Sequence, residues 1–176
     1  MVSYFDSRYP VKRKTYTQSV GKLLPHRISQ ILRKLGFKTW INRGQTNGVD
    51  LKAYSEDRLV LVAEILNWSP VCVLSHRRKN CIIDNLSGYT CRKLLVYTCL
   101  ENESILEDLT SYEIATLKIG YQIQPKYFYE FYSERDQVNL RRVDSRETKQ
   151  DIKSKLVEYL HSSSIEAITP VFEIVE

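Results

Sequence analysis

Gly48-Val49-Asp50-Leu51 and, thirteen residues after its acid counted from Asp50, Ala63-Glu64-Ile65-Leu66-Asn67-Trp68 form the stretch whose reading decides the fold. In the first part Val49, Leu51 and Ala53 alternate with Asp50 and Lys52, the period-two pattern of a half-buried strand. In the second, Leu59 to Leu66 is apolar throughout except for Glu64, as in a strand covered on both faces. A carboxylate in such a run is costly, so it is normally paired, protonated or bound to a metal. If Ser55 and Leu59 close the loop Glu56-Asp57-Arg58, Asp50 falls opposite Glu64, with the side chains roughly 5 Å apart at Cβ. A slip of one residue turns the two acids to opposite faces. Carboxylates held that close repel unless something positive lies between them, and hard divalent ions such as Mg²⁺ take oxygen ligands.

The flanking sequence supplies helices around this hairpin. Leu24, Ile28, Ile31, Leu32 and Leu35 recur at helical spacing from Gly21 to Leu35, with Gly36 as a stop. Phe37 to Ile41 reads as a strand, and Asn42 to Gly48 as a loop in which Arg43 and Gln45 are either phosphate contacts or parts of a simple turn. A second helix is expected from Pro70 to Leu86, capped by Ser69, with Leu74, Cys81, Ile82, Leu86 and Tyr89 facing inward. Arg78 stands four residues from both Leu74 and Ile82, so it should point along that stripe towards the acids. Arg92 to Cys99 reads as a buried strand, and Ser104 begins a helix expected to end near Gly120. Beyond it come an aromatic strand from Tyr121 to Tyr132 broken at Pro125, a polar loop or linker, and an amphipathic helix carrying Ile152, Leu156, Tyr159 and Leu160.

In this order, from the first helix to the strand at Lys93–Tyr97, the elements resemble the core of the PD-(D/E)XK nuclease superfamily, which includes archaeal Holliday-junction resolvases. The resemblance implies an α/β fold: a restriction-endonuclease-like three-layer core with a mixed central sheet flanked by helices. It also implies an endonuclease acting on the DNA phosphate backbone, in which Asp50, Glu64 and the carbonyl of Ile65 ligate Mg²⁺ or Mn²⁺. Two positions depart from the family pattern. Leu66 stands where lysine is usual, and the first helix reads Leu24-Pro25-His26-Arg27 without the usual acid. Arg78, with Arg77 or Lys79, would supply the missing cation; alternatively Arg78 forms a structural ion pair with Glu64. Arginine remains protonated, so it can stabilise developing charge but cannot serve as the base. Asn67 is a candidate for orienting the attacking water, and Arg27, Arg43, Gln45, Arg77 and Lys79 for contacting nucleic acid.

The chain's 176 residues, 43% hydrophobic, suffice for one substantial core and an appendage. The expected division is a nuclease-like core with a basic N-terminal arm over 1–132, and over 133–176 a polar linker, a helix and a C-terminal strand that packs on the core or on a partner subunit of a homodimer. The net charge of +5 is moderate, but cations cluster at Arg8, Lys12, Arg13 and Lys14, around the first helix, and at Arg77, Arg78 and Lys79. Such patches suit a nucleic acid, DNA above all, although solvated charge alone would look the same. Lacking a secretory h-region and any apolar run near the ~20 residues of a membrane span, the chain is expected to be intracellular and cytoplasmic. Cys72, Cys81, Cys91 and Cys99 form no C-x-x-C pair and are expected to be reduced. Three functions remain open: the metal-dependent nuclease, a catalytically impaired nuclease-fold protein that binds nucleic acid or serves assembly, and a protein-binding scaffold.

Overall fold

The computed structural model describes residues 19–43 and 48–165. In chain order the elements are α1 (Leu23–Lys34), β1 (Lys38–Ile41), β2 (Leu51–Ser55), β3 (Arg58–Leu66), α2 (His76–Leu86), β4 (Arg92–Tyr97), α3 (Glu103–Ser111) and β5 (Ile114–Lys118). They continue with β6 (Gln122–Gln124), the one-turn helices α4 (Lys126–Tyr129) and α5 (Glu134–Gln137), β7 (Leu140–Arg142) and the long α6 (Arg146–Ser162). The main sheet has the strand order β1-β2-β3-β4-β5, antiparallel through β3 and parallel from β3 to β5. A separate parallel pair joins β6 to β7.

Side-chain alternation splits the sheet into two apolar faces. On one, Leu51, Ala53, Ala63, Ile65, Leu94 and Val96 pack with residues of α1 and α6. On the other, Val62, Leu66, Leu95 and Tyr97 meet Ile82, Ile83 and Leu86 of α2 and Ile105 and Leu109 of α3. The result is the expected three-layer α/β core, with a mixed sheet between helices. Each leucine buried this way contributes about 2 kcal/mol, so both faces must be covered for the sheet to persist.

The hairpin that organises the fold closes differently from the expected loop. Ser55 pairs with Arg58 across the two-residue turn Glu56-Asp57, Glu56 adopting φ 54°, rather than with Leu59 across three residues. Tyr54 then pairs with Leu59 and Ala53 with Leu61, leaving Val60 as an extra residue in a bulge. The bulge adds back the residue that the shorter turn removes, and Leu51 lies opposite Ala63. The ladder thus regains the expected register at Leu51, but Asp50 itself lies just outside it, its N–H bonded to the Ala63 carbonyl instead of pairing with Glu64.

Several other boundaries differ. The second helix starts at His76, not Pro70, and Ser75 rather than Ser69 is its cap, accepting the Arg78 N–H at 3.1 Å. The preceding residues run extended beside Leu100, whose backbone exchanges 2.8 Å hydrogen bonds with Cys72 and Leu74. Cys81 is exposed rather than inward. The third helix stops at Ser111, and Glu113, at φ 60°, turns the chain into β5, a strand where helix was expected. Pro125 ends the short β6 and leads into α4, and the expected linker holds α5 and β7. Helix α6 is amphipathic as expected, with Ile152, Leu156, Tyr159 and Leu160 buried in the same cluster as α1. The expected basic arm and nearly all of the C-terminal tail lie outside the described residues.

Candidate active site

Glu64 lies within β3 on the α2 face of the sheet, while Asp50 precedes β2 by one residue, where the alternation breaks and Val49 packs on the α2 face instead of with Leu51; the Ile65 N–H turns the Asp50 carboxyl towards Glu64. Asp50 is held from three directions. Its N–H donates to the Ala63 carbonyl at 3.0 Å, its carbonyl accepts from Asn42 N–H at 2.9 Å, and its Oδ2 accepts from Ile65 N–H at 2.7 Å. Glu64 is only 1% exposed. Its Oε1 accepts from Asn85 Nδ2 at 2.7 Å, and its Oε2 lies 4.0 Å from Arg78 Nη2.

The two carboxyl groups lie close enough to disturb each other's ionisation, and each is held above the ordinary carboxyl value. Burial, followed by repulsion from Asp50, pushes Glu64 up to about 8; the Asn85 hydrogen bond and Arg78 oppose the shift. Burial also raises Asp50, against the opposing pull of the Ile65 N–H. Glu64 thus favours its protonated form below about pH 8, and a cation beside the pair would offset both burial and repulsion.

The donor set fits a hard divalent ion. The Ile65 carbonyl leaves its strand on the same edge as its N–H, hence on the Asp50 side, so the available ligands are all oxygens. Among the described residues no cluster of three or more His, Cys, Asp or Glu side chains could hold a metal. Two carboxylates and a carbonyl match the habit of Mg²⁺, which keeps several waters of its own.

Of the proposed cations, Arg78 alone reaches the pair. Its guanidinium spans from Glu64 to Trp68, lying 5.7 Å from the indole centre, and its buried Nε has no hydrogen-bond partner. Leu66, where the resemblance would lead one to expect lysine, is 2% exposed and packed in the core. Lys79 is not available to nucleic acid: it is 8% exposed, and its Nζ is bound to Asp108 of α3 at 2.5 Å. Arg27 belongs to the helical layer on the opposite side of the sheet, where it donates to the Val143 carbonyl at 2.6 Å and to Gln30 at 3.1 Å. Its role there is to tie α1 to the entrance of α6. Asn67 does not offer its amide to water either. Its Nδ2 donates to the carbonyls of Val20 and Ile123 at 2.8 and 2.9 Å, and its Oδ1 accepts from Ile123 N–H at 3.0 Å. Arg77 and Arg43 are exposed, and Gln45 lies outside the described residues.

Two participants had no role assigned to them from the sequence, although Asn85 stands on the same helical stripe as Arg78. Asn85 orients Glu64, and its spacing of seven from Arg78, two helical turns along one face, was the available signal. Lys52 follows Asp50 by two residues, with Nζ 4.8 Å from the Trp40 ring centre and 5.6 Å from that of Tyr89.

No family model and no curated protein matches the chain. Among solved structures it is similar to a protein described as of unknown function, AF1548, at 13% sequence identity and a TM-score of 0.41, over 59% of this chain and 59% of that one. No described helix is long and apolar enough to cross a membrane.

Proposed function

We propose that Asp50 and Glu64 are the metal-holding acids of a phosphodiester-cleaving site, and that the chain is a metal-dependent endonuclease of the PD-(D/E)XK type acting on the DNA backbone. The observation that carries this reading is the buried carboxyl pair itself, brought together where β2 begins beside β3, with Glu64 pushed up to about 8 and a guanidinium beside it. A bound Mg²⁺ or Mn²⁺ would polarise the scissile phosphate and acidify a water. The protein's own groups do the rest. Glu64 releases its proton to become a ligand, Asn85 keeps Glu64 in one rotamer, and the Ile65 N–H keeps Asp50 turned towards it. Arg78, half-exposed beside the pair, faces the charge that develops on the phosphate.

The test is cleavage of supercoiled plasmid and of linear and branched DNA in Mg²⁺ or Mn²⁺ at pH 8 and above. Cleavage should vanish with chelator and in Asp50→Asn and Glu64→Gln, both of which should still fold. Failure of both ions to support cleavage overturns the enzyme reading. A second reading, a nuclease-fold protein that binds DNA without turnover, is favoured by the packed Leu66 and by the Arg78–Glu64 ion pair. Salt-sensitive DNA binding without cleavage would support it.

A further inference from the structure

The chain has two tryptophans, and each has a cation against its ring. Trp68 lies under Arg78 at the end of β3, largely packed into the core. Trp40 is different. It is 44% exposed on the edge strand β1, directly opposite Lys52 in register, and Lys52 in turn lies opposite Val62 of β3. Helix α2 packs on β3, and the ladder Trp40–Lys52 continues the same sheet face outward from the acids. Tyr89, just beyond α2, meets Lys52 from the other side.

An indole placed in water on an edge strand, steadied by an ammonium, contributes little to the core. As a surface it offers a flat π-face and a positive charge side by side, the combination that binds unpaired nucleotides by stacking bases and neutralising phosphates. Charge complementarity supports the same occupant: Lys52 lies on this face, as does Lys38, which is paired with Asp57 at 3.4 Å; exposed Arg43 follows β1, and Arg78 borders the acids. Register fixes the spacing. Asn42 is bonded to Asp50, so Trp40 lies one strand across and two residues along from the acid, about 8 Å away. That is about the reach from a stacked base to the phosphate of an adjoining nucleotide.

We propose that Trp40 and Lys52 form a stacking platform for an unpaired nucleotide, so that this site takes single-stranded or branched DNA in preference to continuous duplex. The proposal rests on the nuclease reading for the fate of the bound phosphate, but not for binding. Its test is therefore metal-free: fluorescence anisotropy of a fluorescein-labelled oligothymidylate and of a blunt duplex of equal length, in chelator. Wild type should bind the single strand more tightly. Trp40→Ala should weaken single-strand binding by about tenfold and leave duplex binding unchanged, whereas Trp40→Phe should retain most of the affinity. Thermal melts verify that both variants fold; the Phe variant keeps a ring on the strand if the Ala variant does not. Equal binding of the single strand by Trp40→Ala and wild type, or a wild-type preference for duplex, overturns the platform. Platform-dependent binding without cleavage in Mg²⁺ or Mn²⁺ would overturn only the nuclease reading, and cleavage indifferent to Trp40 only the platform.

Discussion

Glu64 puts an ionisable group where a strand wants hydrocarbon, and the pH dependence of folding should report it. Its folded-state pKa, about 8, lies above the ordinary value of 4.5, so the native protein holds a proton that the unfolded chain has released over most of that interval. The associated stability is fully present below about pH 4.5 and is lost as pH rises through about 8, on the order of 5 kcal/mol. We therefore expect Tm to fall between pH 5 and pH 9 in chelator, and Glu64→Gln, which keeps the shape without the charge, to flatten that fall. Millimolar Mg²⁺ or Mn²⁺ should raise the wild-type Tm at pH 8 and leave Glu64→Gln unmoved, since a cation stabilises only the state that binds it. A wild-type Tm insensitive to pH over this range would contradict the protonation of buried Glu64. This much was legible in the sequence because the strand pattern around each acid needs only local information, as did the direction of Arg78. The roles of Asn67 and Lys79 were not, because their partners Ile123 and Asp108 are brought close only by the tertiary fold.

Elements were legible where a single periodicity ruled them and illegible where two competed. Ile105, Leu109, Tyr112 and Leu117 fit one helical stripe, yet the last of these belongs to β5; only the left-handed backbone at Glu113, unmarked by glycine, separates helix from strand. β6 and β7, each of three residues, are too short for alternation to show, and what holds them is long-range. Asn67 joins the end of β3 to β6 through two bonds with Ile123, while Gln122 Nε2 donates to the Asn67 carbonyl at 2.9 Å. Asn67→Ala strands the N–H and carbonyl of Ile123 in a buried place, and should lower stability by about 3 kcal/mol. Hydrogen exchange should locate the effect, with amides of β6 and β7 losing protection before those of β3 and β4. Uniform loss across the main sheet would mean that the small sheet is not docked through this side chain.

At the scale of the molecule, the two faces of the sheet divide the labour. The acids, Arg78, Asn85 and the Trp40 ladder belong to the α2 face, while the opposite face is closed by α1 together with α6, a helix from far along the chain. The sequence placed a polar linker and an amphipathic helix beyond residue 132, packed on the core or on a partner subunit, but did not show the short elements after Ser133 that carry the chain back. The packing joins them: Leu156 and Ile152 are fully buried against the cluster that holds Ile28, Ala63 and Ile65. Leu156→Ala should then destabilise the whole chain by about 2–5 kcal/mol, lowering Tm by roughly 10 °C in a single transition seen alike by far-ultraviolet circular dichroism and tryptophan fluorescence. An independent appendage would instead melt first by circular dichroism, with the fluorescence of Trp40 and Trp68 unchanged. Because the lost contacts lie across the sheet from Glu64, the pH at which Mg²⁺ begins to stabilise the protein should be the same in Leu156→Ala as in wild type. A shift in that pH would show that the helix on the far face also tunes the acids.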